Sequence, residues 1–178
     1  MTQVHDHTGG AGIPLTLSRD SLLGLFVRNL THSLEDTVGT SEASVFMNLV
    51  GLAVSNDIQN EYLHDVDVKK IDRDSLNQAI IDIKKIIGSD FYVIEEDGDR
   101  IVFGNRQCPY GNLAKDCPTL CMMTSHVLGH VIAESQGYAR VTLAETIARG
   151  NRACRIVVNL DPDGPDDGGQ SYYAKRIA

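Results

Sequence analysis

The hydrophobic period of this chain changes near Gly88, and that change limits the fold more than any other feature of the sequence. Before it, apolar residues recur every three or four positions, the spacing of one face of an α-helix. Leu22, Leu23, Phe26, Val27, Leu30 and Leu34 follow Ser18, and Gly39 offers a stop. After the capping residues Thr40 and Ser41, the spacing returns at Ala43, Phe46, Met47, Val50, Val54 and Ile58 and runs to about Leu63. A third set, Leu76, Ile80, Ile83 and Ile87, starts near Asp72 or Asp74 and ends at Gly88. The spacing predicts three amphipathic helices, with most of these stripe residues in a core.

Beyond Gly88 the pattern is that of strands. Phe91-Tyr92-Val93-Ile94 and Arg100-Ile101-Val102-Phe103 flank Glu96-Asp97-Gly98-Asp99, and an Asp-Gly turn between β-prone runs is a hairpin signal. Residues 105–117 read as a loop with Pro109 and Gly111. Pro118 suits a first helical turn, and a fourth helix runs from there to Gln136-Gly137. Arg140-Val141-Thr142-Leu143 and Cys154-Arg155-Ile156-Val157-Val158 form a second antiparallel pair. The expected fold class is therefore α+β: N-terminal helices packed on a small antiparallel sheet, with a cysteine-bearing helix. One domain over residues 18–160 is expected, preceded by a flexible arm at 1–17 and followed by an irregular acidic tail at 161–178.

Composition narrows the function. At 42% hydrophobic and 22% charged residues the chain can bury a core of its own, and no apolar run approaches the ~18 residues of a membrane span. The first fifteen residues lack the basic start and apolar run of a signal peptide, so a cytoplasmic location is expected. A formal net charge of -8 repels a phosphate backbone, and there is no basic recognition helix or zinc finger, so no direct nucleic-acid binding is expected.

Four cysteines remain as the residues best suited to chemistry: Cys108, Cys117, Cys121 and Cys154, spaced C-x8-C-x3-C and then x32. In a reducing compartment such a set is more often metal-binding or catalytic than disulfide-bonded. Cys117 and Cys121, four apart at a helix start, would lie within about 40° of each other on one face. The helix N-terminus would favour their thiolates. Cys154, on a strand, would share the core face with Ile156 and Val158 by two-residue alternation. Cys108-Pro109 and Cys117-Pro118 match the Cys-Pro pairing of bacterial ferredoxins. These features point to one centre with all four cysteines as ligands, an iron–sulfur cluster of the 4Fe-4S type. Zinc fits four thiolates equally well, and ordinary buried thiols are the bland alternative.

Other constellations are weaker. His126 and His130 have a ligand-like spacing, but fall ~140° and ~180° around the helix from Cys121 and read as structural. Asp161-Pro162-Asp163-Gly164 starts like a calcium loop, yet Pro165, Asp166 and Tyr172 occupy positions where such a loop needs other residues. Gly9-Gly10-Ala11-Gly12 lacks the strand and helix of a phosphate loop.

The stretches CPYG, CPTLCMMTS, GYARV and ETIARG, the last leading into Cys154, resemble the methanogen output domain family. These are sensory or output modules related to the vinyl-reductase-like small-ligand-binding domains. The resemblance is close over about 108–160 and looser from 18 onward. A similar cysteine pattern closes the iron–sulfur-responsive repressors of cluster assembly, which again implies Cys108, Cys117, Cys121 and Cys154 as ligands. No winged helix, kinase or PAS segment stands within these 178 residues, so the expected output runs through a regulatory or signalling protein partner. The functional expectation is a sensory module signalling redox, gas or iron status, with a homodimer formed through the apolar stripe of the first helix. The alternatives are a small-molecule-binding module or cysteine-dependent enzyme, and a structural zinc-binding interaction domain.

Overall fold

A computed structural model describes residues 18–62, 71–115 and 117–175. The arm expected at 1–17 lies outside them. Helix α1 spans Arg19–Val38, α2 Thr40–Tyr62, α3 Arg73–Ile86 and α4 Pro118–Gln136. Strands β1 to β5 span Phe91–Glu96, Arg100–Asn105, Tyr138–Glu145, Cys154–Asn159 and Gln170–Tyr173. Short 3-10 turns occupy Gly111–Ala114 and Ile147–Arg149.

Local chemistry sets most of these boundaries. Ser18 caps α1 in a reciprocal pair with Ser21, each side chain bonding the other's backbone N–H. At the far end Gly39, with φ 82°, turns the chain and donates its N–H to the Glu35 carbonyl at 2.9 Å. The Asp72 carboxylate accepts from the Ser75 N–H at 2.9 Å and caps α3; that bond holds its pKa below the usual carboxylate value. Pro118 begins α4, and Gly137, with φ 87°, ends it one residue before β3.

The sheet is antiparallel throughout, in the order β1-β2-β4-β3-β5. Alternation puts Ile101 and Phe103 of β2 on one face, opposite Val158 and Ile156 of β4, with Val141 and Leu143 of β3 in the same rows. These side chains meet Leu128, Val131 and Ile132 of α4 in the core. Helices α3 and α4 cover this face, α2 stacks on α4, and α1 lies outermost on α2. The α+β expectation is met.

Two expectations are corrected. Helical spacing predicts that most stripe residues are core, yet Phe46, Val50 and Val54 on α2 are exposed, as are Leu22, Leu23, Phe26 and Leu30 on α1, the stripe expected to meet a second copy; the range is 39% to 70%. Helical period marks which residues share a face but not what covers that face, and here no described element does. The tail after residue 160 is also not irregular to its end, because β5 pairs with β3. What delivers β5 is a loop wrapped around the buried Arg140. Its guanidinium donates to the carbonyls of Pro162 (3.1 Å), Gly164 (3.2 Å) and Pro165 (2.6 Å). Asp167 accepts from Thr142 at 2.7 Å and from Asn159 at 2.9 Å. Such bonds between distant residues leave no periodic trace in the sequence.

Candidate functional site

Register brings two of the cysteines together. Cys154, the first residue of β4, pairs with Asn105, the last of β2, which in turn pairs with Phe91 of β1. Three residues beyond Asn105 the chain reaches Cys108, where the Gly111 N–H donates to the Cys108 carbonyl at 3.0 Å and tightens the loop. From the other side comes α4, whose Cys121, Ser125 and Leu128 share a face at spacings of four and three. The three elements enclose a cavity of about 50 Å³ lined by Cys108, Cys121 and Cys154. Phe91, Leu128, Leu143 and Ile156 make its apolar walls.

Two of the thiols in this cavity, Cys121 and Cys154, resist ionisation. Burial, and then the neighbouring Cys108 and Cys154, push Cys121 up to about 11, with Arg149 opposing. Cys154 is raised by burial and then by Cys108, against a hydrogen bond from the Ile147 N–H to its Sγ at 3.4 Å. Tyr110 is pushed up to about 12 by burial and by Cys108 and Cys121. A cation inside the cavity would reverse these costs, because it supplies the positive charge that clustered thiolates lack.

Cys117 is placed differently. It is the N-cap of α4, with φ -128° and ψ 71°, so the helical-wheel angle relating it to Cys121 does not apply. It is fully buried, and it is not among the residues lining the three-thiol cavity. Its sulfur instead lies with a His32 nitrogen and a Glu35 oxygen, all within 4.8 Å of one another. Burial raises its pKa and Glu35 adds to the rise, while the Leu120 N–H and Arg28 oppose it. The sequence reading missed His32 and Glu35. Their three-residue spacing on one helix was the available signal, and it had no meaning until the fold set Cys117 beside them.

The two histidines of α4 are occupied elsewhere. His126 Nδ1 lies 2.6 Å from the Tyr172 hydroxyl, and His130 Nε2 lies 3.0 Å from Asn48 Oδ1. Burial, and then His130, lowers the His126 pKa from 6.5 to about 4, and burial lowers His130 as well. Below pH 6.5 the unfolded chain therefore binds protons that the folded chain does not. The stability contributed by neutral His126 is complete above pH 6.5 and is lost as pH falls towards 4. Across that range the urea midpoint of the wild type is expected to fall more steeply than that of His126→Gln; parallel curves would refute the assignment.

Among solved structures the chain is similar to the phenol-responsive sensory domain of the transcription activator PoxR with phenol. The identity is 14% and the TM-score 0.55, over 82% of this chain and 76% of that one, which is a likeness of fold. No curated protein matches the sequence. The family model described as Methanogen output domain 1 matches residues 26–159, a span holding all four cysteines and every element from α2 to β4. By that match the chain belongs to the Methanogen output domain 1 family.

Proposed function

We propose that the protein is a sensory or regulatory module whose three-thiol cavity holds an iron–sulfur cluster, with Cys108, Cys121 and Cys154 as ligands. The observation that carries this reading is the convergence of a loop, a helix and a strand, each contributing one cysteine to a single cavity. Membership in an output-domain family supports the regulatory role. The donor set fits the group: soft thiolates select iron–sulfur clusters, copper and zinc over hard cations. The Ile147 N–H on the Cys154 sulfur and Arg149 beside Cys121 are the kind of outer partners that stabilise metal-bound thiolates. When bound, a cluster would supply a group sensitive to oxygen, nitric oxide or iron supply. The chain's own part is to exclude bulk water with Phe91, Leu143 and Ile156, and to link occupancy to the α4 start and the β4 start.

The exposed apolar residues of α1 and α2 belong to this proposal as the signalling surface, covered by a second copy or by a regulatory partner. Protein purified without oxygen is expected to be brown, to absorb near ~400 nm, and to contain iron and sulfide. A colourless, iron-free protein with free thiols would overturn the cluster. Zinc in the same cavity is the competing occupant, which metal analysis distinguishes. A small aromatic ligand is a second reading, motivated by the phenol of the PoxR domain and the apolar walls here.

A further inference from the structure

The cluster at the foot of α1 is chemically unlike the three-thiol cavity. His32 and Glu35 occupy successive turns of α1 on one face, and the His32 Nδ1 is 3.6 Å from a Glu35 oxygen. The buried Cys117 thiol completes a set in which one nitrogen, one oxygen and one sulfur lie within 4.8 Å of each other. The Glu35 side chain is only 14% exposed, and its other oxygen accepts a hydrogen bond from the buried Thr119 hydroxyl. A carboxylate and a thiol thus share a largely buried space in which the carboxylate disfavours ionisation of the thiol. Arg28 is the cation that acts on Cys117, and its Nε is buried with no hydrogen-bond partner among the described residues. The same is true of His32 Nε2. The unpartnered His32 nitrogen beside a carboxylate and a thiol leaves this donor set incompletely satisfied, and a cation is what such a set can take; Arg28, a donor only, adds nothing to that demand.

We infer that His32, Glu35 and Cys117 form a second site, which takes one borderline divalent transition metal ion of the Zn2+ type and ties α1 to the start of α4. The donors select the ion: imidazole, carboxylate and thiolate are all zinc ligands, whereas calcium and magnesium take oxygen shells. The geometry needs little change. Bonds of 2.0–2.3 Å in a tetrahedron set ligands about 3.5 Å apart. The His32–Glu35 pair is already there at 3.6 Å, and Cys117 has to close by about an ångström from the 4.8 Å limit. Water fills the fourth position. This site goes beyond the sensory reading and uses none of the three cavity thiols.

Zinc titration of chelator-treated protein tests it. The decisive background is Cys108→Ser/Cys121→Ser/Cys154→Ser, which removes the cavity thiols and leaves the α1 set intact. One Zn2+ per chain is expected to bind there, and His32→Ala or Glu35→Gln in that background is expected to weaken binding by more than about 100-fold. Cobalt used as the probe should give a thiolate charge-transfer band that Cys117→Ser removes. If the triple variant does not fold, the wild type and its His32→Ala variant give the same decision, because zinc content should fall by one ion per chain. A triple variant that binds no zinc, or zinc binding unchanged by His32→Ala and Glu35→Gln, would overturn the site. Iron and sulfide content report the cavity separately, and His32→Ala is expected to leave both unchanged.

Discussion

Cys121→Ser is expected to abolish cluster loading, with loss of the ~400 nm absorption and of nearly all protein-bound iron. Serine is nearly isosteric, so the loss would not reflect a cavity or a clash; it would reflect replacement of a soft thiolate by a hydroxyl that stays protonated and neutral. Cys121 is the most telling of the three because Cys108, Cys154 and, less strongly, Cys117 all act on its ionisation. Cys117→Ser makes the matching comparison. Its sulfur is turned towards His32 and Glu35, so that variant is expected to retain most of the iron. Iron and sulfide analysis of the two variants, prepared side by side without oxygen, checks the pair of expectations. Equal losses in both would mean that Cys117 is a full ligand of the same centre, as the spacing first suggested.

Gly129→Val is expected to destabilise the fold by about 3 kcal/mol and to release β5. A Cβ built on Gly129 would lie 2.2 Å from the Tyr172 ring and 2.7 Å from its Cγ. Cγ is near the root of the side chain, so rotating the ring gives no relief and the strand itself has to move. Tyr172 is 2% exposed, bonded to His126 and stacked edge-on against His130, with ring centroids 4.9 Å apart. Moving it therefore costs packing and a buried hydrogen bond together. Urea denaturation measures the loss, and hydrogen exchange at Ala139 and Val141 on the β3 edge reports the release. In a Tyr172→Ala background the same substitution should cost much less, because the clash has gone; an undiminished cost would show that Gly129 matters for some other reason.

The element boundaries were legible because they rest on neighbours in sequence. Ser18, Asp72, Pro118 and Gly137 act within one turn of the chain, and each stands at a helix end that the spacing marks, Asp72 as one of two candidate starts. Strand faces were legible for the same reason, since alternation alone puts Cys154 beside Ile156 and Val158. The fourth cysteine shows where local reasoning stops. Spacing put Cys117 on the face of Cys121 by assuming helical angles, but a residue that caps a helix has not yet entered it, and its side chain points where the preceding loop directs it. The tail shows the same limit at longer range. Arg140 organises carbonyls 22 to 25 residues further on, and no periodicity in an Asp-, Gly- and Pro-rich segment announces a partner so distant.

The change of period at Gly88 and the capping residues were enough to determine an α+β chain, and the spacing of the four cysteines singled them out as candidate ligands, because each depends on contacts within a few residues. Tertiary structure alone decided that three of those thiols line one cavity, that the fourth joins His32 and Glu35 across 82 residues or more, and that the α1 stripe faces outward. Those outcomes depend on how the loop after β2, the start of α4 and the start of β4 meet in space, and on what covers each helix face. Packing fixes both, through contacts between residues that are far apart in the chain.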